Sequence, residues 1–459
     1  MFRFESKKIM RLTCFICLLF LWSCNQEMDV VPLEVSSLEI YLPEFILEEM
    51  ENEGENSQWS MTRKKESEHF VVFWEEGFGN QPNSSSLPEE MRVDIDDLLA
   101  QSEAFYTKNL ELGFVQTGNQ SSYLDTYKFL IFLHYTDEWL ATGAGYDDII
   151  GALWISPLTT QPAGSVIAHE IGHAFQYMVY CDNGDGSGYR YGFGPDGSGG
   201  NGFWEQTANY QAYKCLPENT FNEADCFMEQ SNKHFMHEDI RYCSYWLHFY
   251  WEEKHGIDFI GKLWRDSRKP EDPVQAYMRI TGINLNEFYK EMYDAASRLI
   301  TWDLNLLRNT GQNYLDLYSP SFQKLGANSY QISKDNVPST TGFNGIKLKV
   351  PESGTTLSTS FSGLPNADGY HQLENPENAG WRMGYVALLS NNERVYSPME
   401  VVSGTQTKSI SFVVPNNCTD LWLVVLGAHE KYTPRIWVDP PIPEEHLPYT
   451  LSFTNTDLY

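Results

Sequence analysis

Two histidines and a glutamate stand in the run His169-Glu170-Ile171-Gly172-His173. The surrounding residues predict a helix, and residues four positions apart lie on one helix face, so both imidazoles can point to the same spot. Two neutral imidazoles at this spacing suit Zn²⁺, and the glutamate between them can act on a water that the metal activates. The run therefore predicts metal-assisted hydrolysis, most often of a peptide bond. A chance match is the alternative, and the rest of the chain must decide between them.

A third ligand is needed before such a run can hold a catalytic zinc ion, which also keeps an open position for water. Residues 203–210 read FWEQTANY, and Glu205 within them lies 32 residues after His173, at the start of a predicted helix. A carboxylate at this place can complete the site. The alternative is an ordinary acidic residue in a first helical turn, where it favours the helix dipole.

Trp204, Glu205, Ala208 and Tyr210 match a Trp-Glu-x-x-Ala-x-Tyr pattern. Together with the His-Glu-x-x-His run, this pattern resembles the gluzincin clan of zinc metallopeptidases, in which a glutamate on a downstream helix completes the metal site. The resemblance implies a zincin-like fold and a Zn²⁺ cofactor held by the two histidines and by Glu205. It also implies a polypeptide or glycoprotein substrate.

Glu170 cannot easily reach a metal that its two neighbours bind. We therefore expect it to act as a general base toward water and then as a proton donor to the leaving amine. Asn209 stands one turn after Glu205, where gluzincins commonly have an acidic residue that orients a zinc-bound imidazole. An amide accepts the same hydrogen bond but carries no charge, and this is a departure from the gluzincin pattern.

Gluzincins often supply a tyrosine or histidine from a later helix to stabilise the oxyanion. The resemblance implies Tyr242 for this role, at the start of a helix that closes with His255-Gly256. Tyr245 and His248 are further candidates. A tyrosine packed in the helical core is the alternative.

The predicted elements place the run beside a sheet and ahead of a helical region. Strands are predicted at residues 69–75, 127–135 and 149–155, a helix at 88–112 and the motif helix at 164–180. Residues 203–309 have helical periodicity, and after residue 320 a period of two in about seven short runs predicts a β-sandwich. The fold class is α+β: a zincin-like domain with a small sheet, the motif helix and a helical C-terminal subdomain, followed by an all-β sandwich.

The chain divides into four predicted segments. They are a lipoprotein signal peptide at 1–23, a tether with a short helix at 24–64, the metallopeptidase domain at 65–334 and the sandwich at 335–459. Residues 69–75 and 421–428 resemble a group of secreted bacterial lipoproteins that pair a gluzincin-like domain with such a sandwich.

Two stretches near the motif helix bear on the cleft. In zincins an edge strand lies over the cleft and pairs with an extended substrate, and we assign this strand to residues 149–156. An internal strand of the same sheet is the alternative. Residues 181–202 are rich in glycine and are predicted to form a loop at the rim.

The N-terminus predicts export. Basic residues up to Arg11 precede an apolar stretch too short to span a bilayer, which ends in Leu21-Trp22-Ser23-Cys24 and resembles a bacterial lipobox. We expect a monomer tethered by lipid at Cys24 to the outer membrane or cell surface, with a plain signal peptide as the alternative. The net charge of −30 argues against nucleic acid and anionic membrane surfaces as partners.

Five cysteines follow Cys24, and an export compartment allows disulfides among them. Their pairing cannot be read from the sequence, and buried free thiols are the alternative. The five are Cys181, Cys215, Cys226, Cys243 and Cys418.

Two functions fit these observations. The first is an extracytoplasmic zinc metallopeptidase. The second is a surface protein of weak or absent activity that keeps the peptidase fold and binds glycans or host glycoproteins, with the β-sandwich as the candidate glycan-binding module. The high aromatic content and Asn209 motivate the second.

Overall fold

The computed structural model describes residues 38–183, 188, 202–268, 270–315, 317–435 and 443–459. The predicted signal peptide, Cys24 and most of the predicted rim loop lie outside the described residues. The described residues from 38 onward form one compact unit of mixed α+β architecture. Among the described helices, none combines the length and the apolar character that crossing a membrane requires.

A mixed sheet in the described part of the chain supports the motif helix. Its strands are β1 (Lys64–Glu66), β2 (Phe70–Trp74), β3 (Phe129–Leu133), β4 (Ala141–Tyr146) and β5 (Ile150–Ile155), in the spatial order β1-β2-β3-β5-β4. The central strands β2, β3 and β5 run parallel, whereas β1 and β4 run antiparallel to their neighbours. β2 and β3 are buried along their whole length, as continuous apolar strands covered on both faces are expected to be.

Helices cover this sheet and continue beyond it. They are α1 (Glu44–Glu53), α2 (Ile95–Glu111), α3 (Ser165–Asn183), α4 (Gly202–Cys215), α5 (Ala224–Glu229), α6 (Trp246–His255), α7 (Phe259–Asp266), α8 (Pro273–Thr281), α9 (Leu285–Leu299) and α10 (Arg308–Gly311). Side chains set several of the starts: Asp94 accepts hydrogen bonds from the Asp96 and Asp97 amides and so begins α2. Asn284 and Glu287 form a capping box that begins α9.

The segment predicted as a tether is folded from residue 38 onward. Leu42 and Ile46 are buried, and the Trp59 ring packs against Phe132 of β3 with 4.8 Å between ring centroids. Arg63, also buried, donates hydrogen bonds to the Trp74 and Glu55 carbonyls. The folded region therefore begins before residue 65, because this stretch supplies apolar side chains that the sheet needs for cover.

Two facing sheets form the C-terminal sandwich. One contains β8 (Phe343–Leu348), β10 (Gly380–Leu389), β11 (Arg394–Tyr396), β12 (Glu400–Ser403) and β14 (Cys418–Gly427), and the other contains β6 (Phe322–Gly326), β7 (Ser329–Ile332), β9 (Thr356–Gly363), β13 (Thr407–Val413) and β15 (Tyr449–Thr454). β9 alternates buried and less buried residues, the pattern of a strand with one face on a core. β6 and β7 precede residue 335, so this region begins earlier than the predicted boundary.

One sheet of the sandwich is covered on both faces. On β10 and β14, one set of side chains, including Met383 and Val425, faces the core between the sheets. The other set, including Val386, Trp422 and Leu426, belongs to the large core that the helices share. α9 lies against both strands, so the sandwich is joined to the helical region by an apolar interface.

Candidate functional site

The strand at the edge of the sheet packs directly on the motif helix. A Cβ atom on Gly143 of β4 would lie only 2.1 Å from the Glu170 carbonyl oxygen, and one on Gly145 would meet the Tyr177 ring. Glycines at these places allow β4 to approach α3. Our assignment of the edge strand to 149–156 is wrong: β5 lies between β3 and β4, and β4 is the edge strand that lines the cleft.

His169, His173 and Glu205 converge on one point. The two histidines lie one turn apart on α3, and Glu205 lies in the first turn of α4. Glu205 Oε2 is 3.2 Å from His169 Nε2 and 3.1 Å from His173 Nε2. Atoms bound at about 2.0–2.1 Å to a tetrahedral ion are about 3.3 Å apart. The spacing of the three atoms thus fits the ligand set expected from the sequence.

The outer nitrogens of both imidazoles are held by amide oxygens. Asn209 Oδ1 is 2.6 Å from His169 Nδ1, and Gln176 Oε1 is 3.0 Å from His173 Nδ1. The orientation of each amide is set by its other end. Asn209 Nδ2 donates to the Tyr242 carbonyl at 2.5 Å, and Gln176 Nε2 donates to the Trp204 carbonyl at 3.3 Å. Because the amide oxygens can only accept, each Nδ1 carries a proton.

This arrangement favours a cation at the convergence point. With a proton on Nδ1, a neutral imidazole presents a lone pair at Nε2, and the Glu205 carboxylate can only accept hydrogen bonds. Three acceptors that face one another repel unless the rings are protonated or a metal ion lies between them. Second shells of this kind also hold metal-binding imidazoles in the correct tautomer. The residues present therefore fit a bound Zn²⁺.

The charges at the site affect one another. Burial disfavours the charged form of His169, but its hydrogen bond to Glu205 and the nearby charge of Glu170 outweigh burial and raise its pKa. Burial likewise raises the pKa of Glu205, but the hydrogen bonds from both histidines outweigh it and hold that pKa well below its usual range. Glu205 is therefore an anion at neutral pH, as a metal ligand must be.

A chain of buried amides extends inward from His173. Gln176 Nε2 donates to Gln211 Oε1 at 2.8 Å, and Gln211 Nε2 donates to Asn109 Oδ1 at 2.6 Å. Asn109 Nδ2 ends the chain on the Phe105 carbonyl at 2.9 Å. The chain joins α3, α4 and α2 and fixes the His173 ring from behind. These amides were not predicted from the sequence. Gln176, three residues after His173 on the same helix face, was the available signal.

Glu170 opens on a cleft of about 490 Å³ beside the convergence point. Its side chain is buried, and ligand atoms of His169, Glu170 and His173 all lie within 4.8 Å of one another. β4 forms one wall through Ala141, Thr142 and Gly143; α3 and α4 form the other walls. A carboxylate in this place can take a proton from a water held at the convergence point.

Tyr242 is at the rim of the same cleft. Its ring centroid is 6.2 Å from that of His169, and burial together with the charge of Glu205 raises the pKa of its phenol. The helix that we expected to begin there starts later, with α6 at Trp246, so Tyr242 lies in the preceding turn. The two further candidates for the oxyanion role are wrong. Tyr245 is buried and donates to the Thr220 carbonyl, and His248 is buried against Thr207.

A disulfide secures the turn that carries Tyr242. Cys226 of α5 is bonded to Cys243, and Cys181, Cys215 and Cys418 are free. The bond settles one pairing that the sequence left open. It also anchors the Tyr242 carbonyl, which holds the amide of Asn209 and, through it, the His169 ring.

The structure thus defines an α+β protein. It has a His-His-Glu cluster in an open cleft, with a further glutamate beside the cluster. The chain belongs to the family described as "Family of unknown function (DUF6055)", whose profile matches residues 32–459. A search of the curated proteins finds no match.

Solved structures are similar to this chain only in part. "Crystal structure of PirA" has a TM-score of 0.15 at 12% identity, covering 25% of this chain and 83% of that chain. The "Xylan-Binding Domain from CBM 22" has a TM-score of 0.19 at 11% identity, covering 30% and 81%. The C-terminal family 22 carbohydrate binding module of Clostridium thermocellum Xyn10B has a TM-score of 0.18 at 11% identity, also covering 30% and 81%. TM-scores this low support no inference about this chain.

Proposed function

We propose that this protein is an extracytoplasmic zinc-dependent metallopeptidase of zincin-like fold. The observation that carries the proposal is the convergence of His169 Nε2, His173 Nε2 and Glu205 Oε2 at 3.1–3.2 Å, with Glu170 beside them in a cleft open to substrate. Lipid attachment at Cys24 and an outer-membrane or cell-surface location are part of the proposal.

His169, His173 and Glu205 would hold the zinc ion. When bound, zinc polarises a water molecule and the substrate carbonyl, which makes both more reactive. Glu170 takes a proton from the attacking water and afterwards delivers it to the nitrogen of the leaving amine. Asn209 and Gln176 keep the two imidazoles in the tautomer that leaves each Nε2 free to bind.

β4 would position the peptide. It is an edge strand that lines the cleft, so its outward backbone groups can pair with an extended substrate. Such pairing gives affinity with little demand on sequence. Tyr242, exposed at the rim near His169, is the side chain that we assign to donate a hydrogen bond to the developing oxyanion.

Metal content tests the ligand set. We expect one zinc per purified chain, and loss of that zinc in Glu205→Ala. Glu218→Ala, an exposed glutamate in the turn after α4, is the matched control and should keep the metal. Zinc that remains in the Glu205 variant would exclude this glutamate as a ligand.

Cleavage of a broad peptide library tests the reaction. Zinc-loaded protein should cut, and Glu170→Gln should lower the rate about 10²–10⁴-fold because it removes the general base while keeping the shape. Glu229→Gln, an exposed glutamate at the end of α5, should cut as the unmodified protein does. Zinc-loaded protein that cuts no peptide or protein substrate contradicts the proposal.

The alternative function is a surface protein that binds glycans or host glycoproteins. Asn209 motivated it, yet the amide accepts the His169 hydrogen bond at 2.6 Å and so retains the orienting part of an acidic residue's role. Glycan binding stays a prediction. Retention of glycans by the full chain, with no hydrolysis by the zinc-loaded protein, would favour it.

A further inference from the structure

One end of the cleft lies away from the convergence point. α3 and α4 run antiparallel here, since His169 pairs with Asn209 and His173 with Glu205. One turn beyond the His169–Asn209 pair, away from Glu205, lie the start of α3 and, near the end of α4, Tyr213. Tyr213 is eight residues beyond Glu205, or about 12 Å along the helix axis. It lines the cleft, as does Glu223 in the segment that follows.

Glu223 is a charged residue of the cleft that the proposed reaction does not use. It occupies the N-cap position of α5, but its side chain caps no amide of that helix. Among the described residues, its carboxylate has no ion-pair partner and accepts no side-chain hydrogen bond. Among the described residues, the other acidic side chains that line the cleft are Glu170 and Glu205, and no described lysine or arginine lines it.

Among the described residues that line the cleft, none carries a positive charge that would offset Glu223. Glu170 and Glu205 together carry two negative charges, which a bound Zn²⁺ would offset. Glu223 is then the remaining charged side chain among the described residues that line the cleft. The charge of Glu223 affects the neighbouring phenol. Burial is the larger cause and the negative charge of Glu223 the second, and together they raise the pKa of Tyr213 to about 12. A carboxylate that is partly desolvated beside an aromatic wall attracts cations more strongly than one in water.

We propose that the end of the cleft formed by Glu223 and Tyr213 is a specificity site for a cationic side chain, lysine or arginine, of a peptide substrate. The site lies about 12 Å along α4 from the metal ligands, and an extended peptide rises about 3.3 Å per residue. A long basic side chain one or two residues from the scissile bond spans this distance. The net charge of −30 steers basic peptides toward the protein as a whole.

This inference rests on the proposed peptidase function, because it takes the ligand to be a peptide. Its first test is therefore binding, which needs no cleavage. The probes are blocked hexa-alanine peptides that carry one lysine, norleucine or glutamate at each position in turn, and the protein is zinc-loaded Glu170→Gln. We expect the best lysine peptide to bind about tenfold more tightly than its norleucine counterpart, and the difference to shrink with salt.

The variant Glu223→Gln, added to Glu170→Gln, should reduce that tenfold preference to less than about threefold, and Glu223→Lys should shift it toward glutamate peptides. Glu229→Gln in the same background is the matched control on α5 and should leave the preference unchanged. Equal binding of lysine and norleucine peptides, binding of neither, or a preference that survives Glu223→Gln would overturn the inference.

Cleavage separates this inference from the function on which it rests. Unmodified protein should cut a peptide library mainly where lysine or arginine lies within two residues on one side of the scissile bond. Cleavage without that preference would contradict the specificity site but not the peptidase proposal. Failure to cleave, combined with lysine binding that depends on Glu223, would contradict the peptidase proposal but not the cation site.

Discussion

The cleft region and the sandwich core differ in the polarity of their buried side chains. Around the cleft, fully buried polar side chains such as Gln176, Gln211 and Asn109 are each satisfied by another amide or a carbonyl. The core between the sandwich sheets is mainly apolar, with side chains such as Trp381 and Leu423, and contains isolated polar pairs such as Tyr449 with Asn344. Buried polar groups cost free energy unless they are paired, so they persist where they fix a geometry. The difference indicates that a polar network fixes side-chain positions around the cleft, whereas the sandwich core contributes mainly to stability.

The two regions are nevertheless not independent. The outer face of β10 and β14 is buried against the helices, and the amide of Phe343 donates to the Ser231 carbonyl at 2.7 Å. A Cβ atom on Gly342 would meet the Asn232 carbonyl oxygen at 1.9 Å. A sandwich cut away from the helices would therefore expose an apolar face, so ligand-binding tests are better made on the full chain.

The largest expected effect is on stability, from the apolar interface. Leu426→Ala removes a fully buried side chain of the core that the sandwich shares with the helices, and we expect it to lower the free energy of unfolding by about 2–5 kcal/mol. Leu325→Ala, on an exposed face of β6, should change it by less than about 0.5 kcal/mol. Denaturant unfolding measures both. Specific activity of the folded fraction should not change, and a selective loss of activity in the Leu426 variant would break the division of roles.

The second effect tests whether the disulfide beside the cleft contributes to stability and to zinc affinity. Replacing both Cys226 and Cys243 by serine opens a loop whose ends are 17 residues apart in sequence. Loop-closure entropy predicts a loss of about 3 kcal/mol in the free energy of unfolding. Because Cys243 adjoins Tyr242, whose carbonyl holds Asn209, zinc affinity should fall as well. Replacing the free Cys418, in the sandwich, should leave zinc affinity unaltered.

Periodicity and motif spacing predicted the elements whose apolar pattern is strong. The predicted strands at 69–75, 127–135 and 149–155 correspond to β2, β3 and β5, and the motif helix to α3. The sequence missed β4, because residues 141–146 read ATGAGY and have too few apolar side chains to signal a strand. Its register comes from close packing on α3, which is a tertiary effect.

Long-range partners were the other part that the sequence could not supply. Glu205 could be predicted because its helix carries a recognisable pattern beside the motif. Asn109 lies 102 residues before Gln211, and no local spacing joins them. Tyr242 lines the cleft from a turn and not from the predicted helix start, because α6 begins only at Trp246, and its oxyanion role stays a prediction. Neither the position of a turn nor its disulfide follows from local propensity.

The third effect falls on metal affinity. Asn209→Ala removes the acceptor of the His169 Nδ1 hydrogen bond and should weaken zinc binding about 10–100-fold. Asn222→Ala, an exposed asparagine before α5, is the matched control. Competition with a chelator of known affinity measures the change. Unchanged zinc affinity in the Asn209 variant would show that the amide does not orient the His169 ring. The paired polar groups near the cleft would then have no role in metal binding that the sandwich core lacks.

The smallest effect is a pH dependence confined to the sheet beside the cleft. Burial raises the pKa of Glu75, but hydrogen bonds from His134, Gln58 and the Tyr135 amide outweigh it and lower the pKa from 4.5 to about 2. The folded state therefore binds fewer protons than the unfolded state. The stabilisation is complete above pH 4.5 and is lost as the pH falls toward 2.

Since Glu75 is partly exposed, we expect that loss to be on the order of 1–2 kcal/mol. Unfolding in denaturant between pH 6 and pH 2.5 should show a shallower acid loss in Glu75→Gln than in the unmodified protein. Glu393→Gln, in the turn between β10 and β11, should leave the slope as it is. An equal acid loss with and without Glu75 would mean that carboxylates elsewhere govern acid stability, and the polar pairs of the cleft region would then orient side chains without adding to stability.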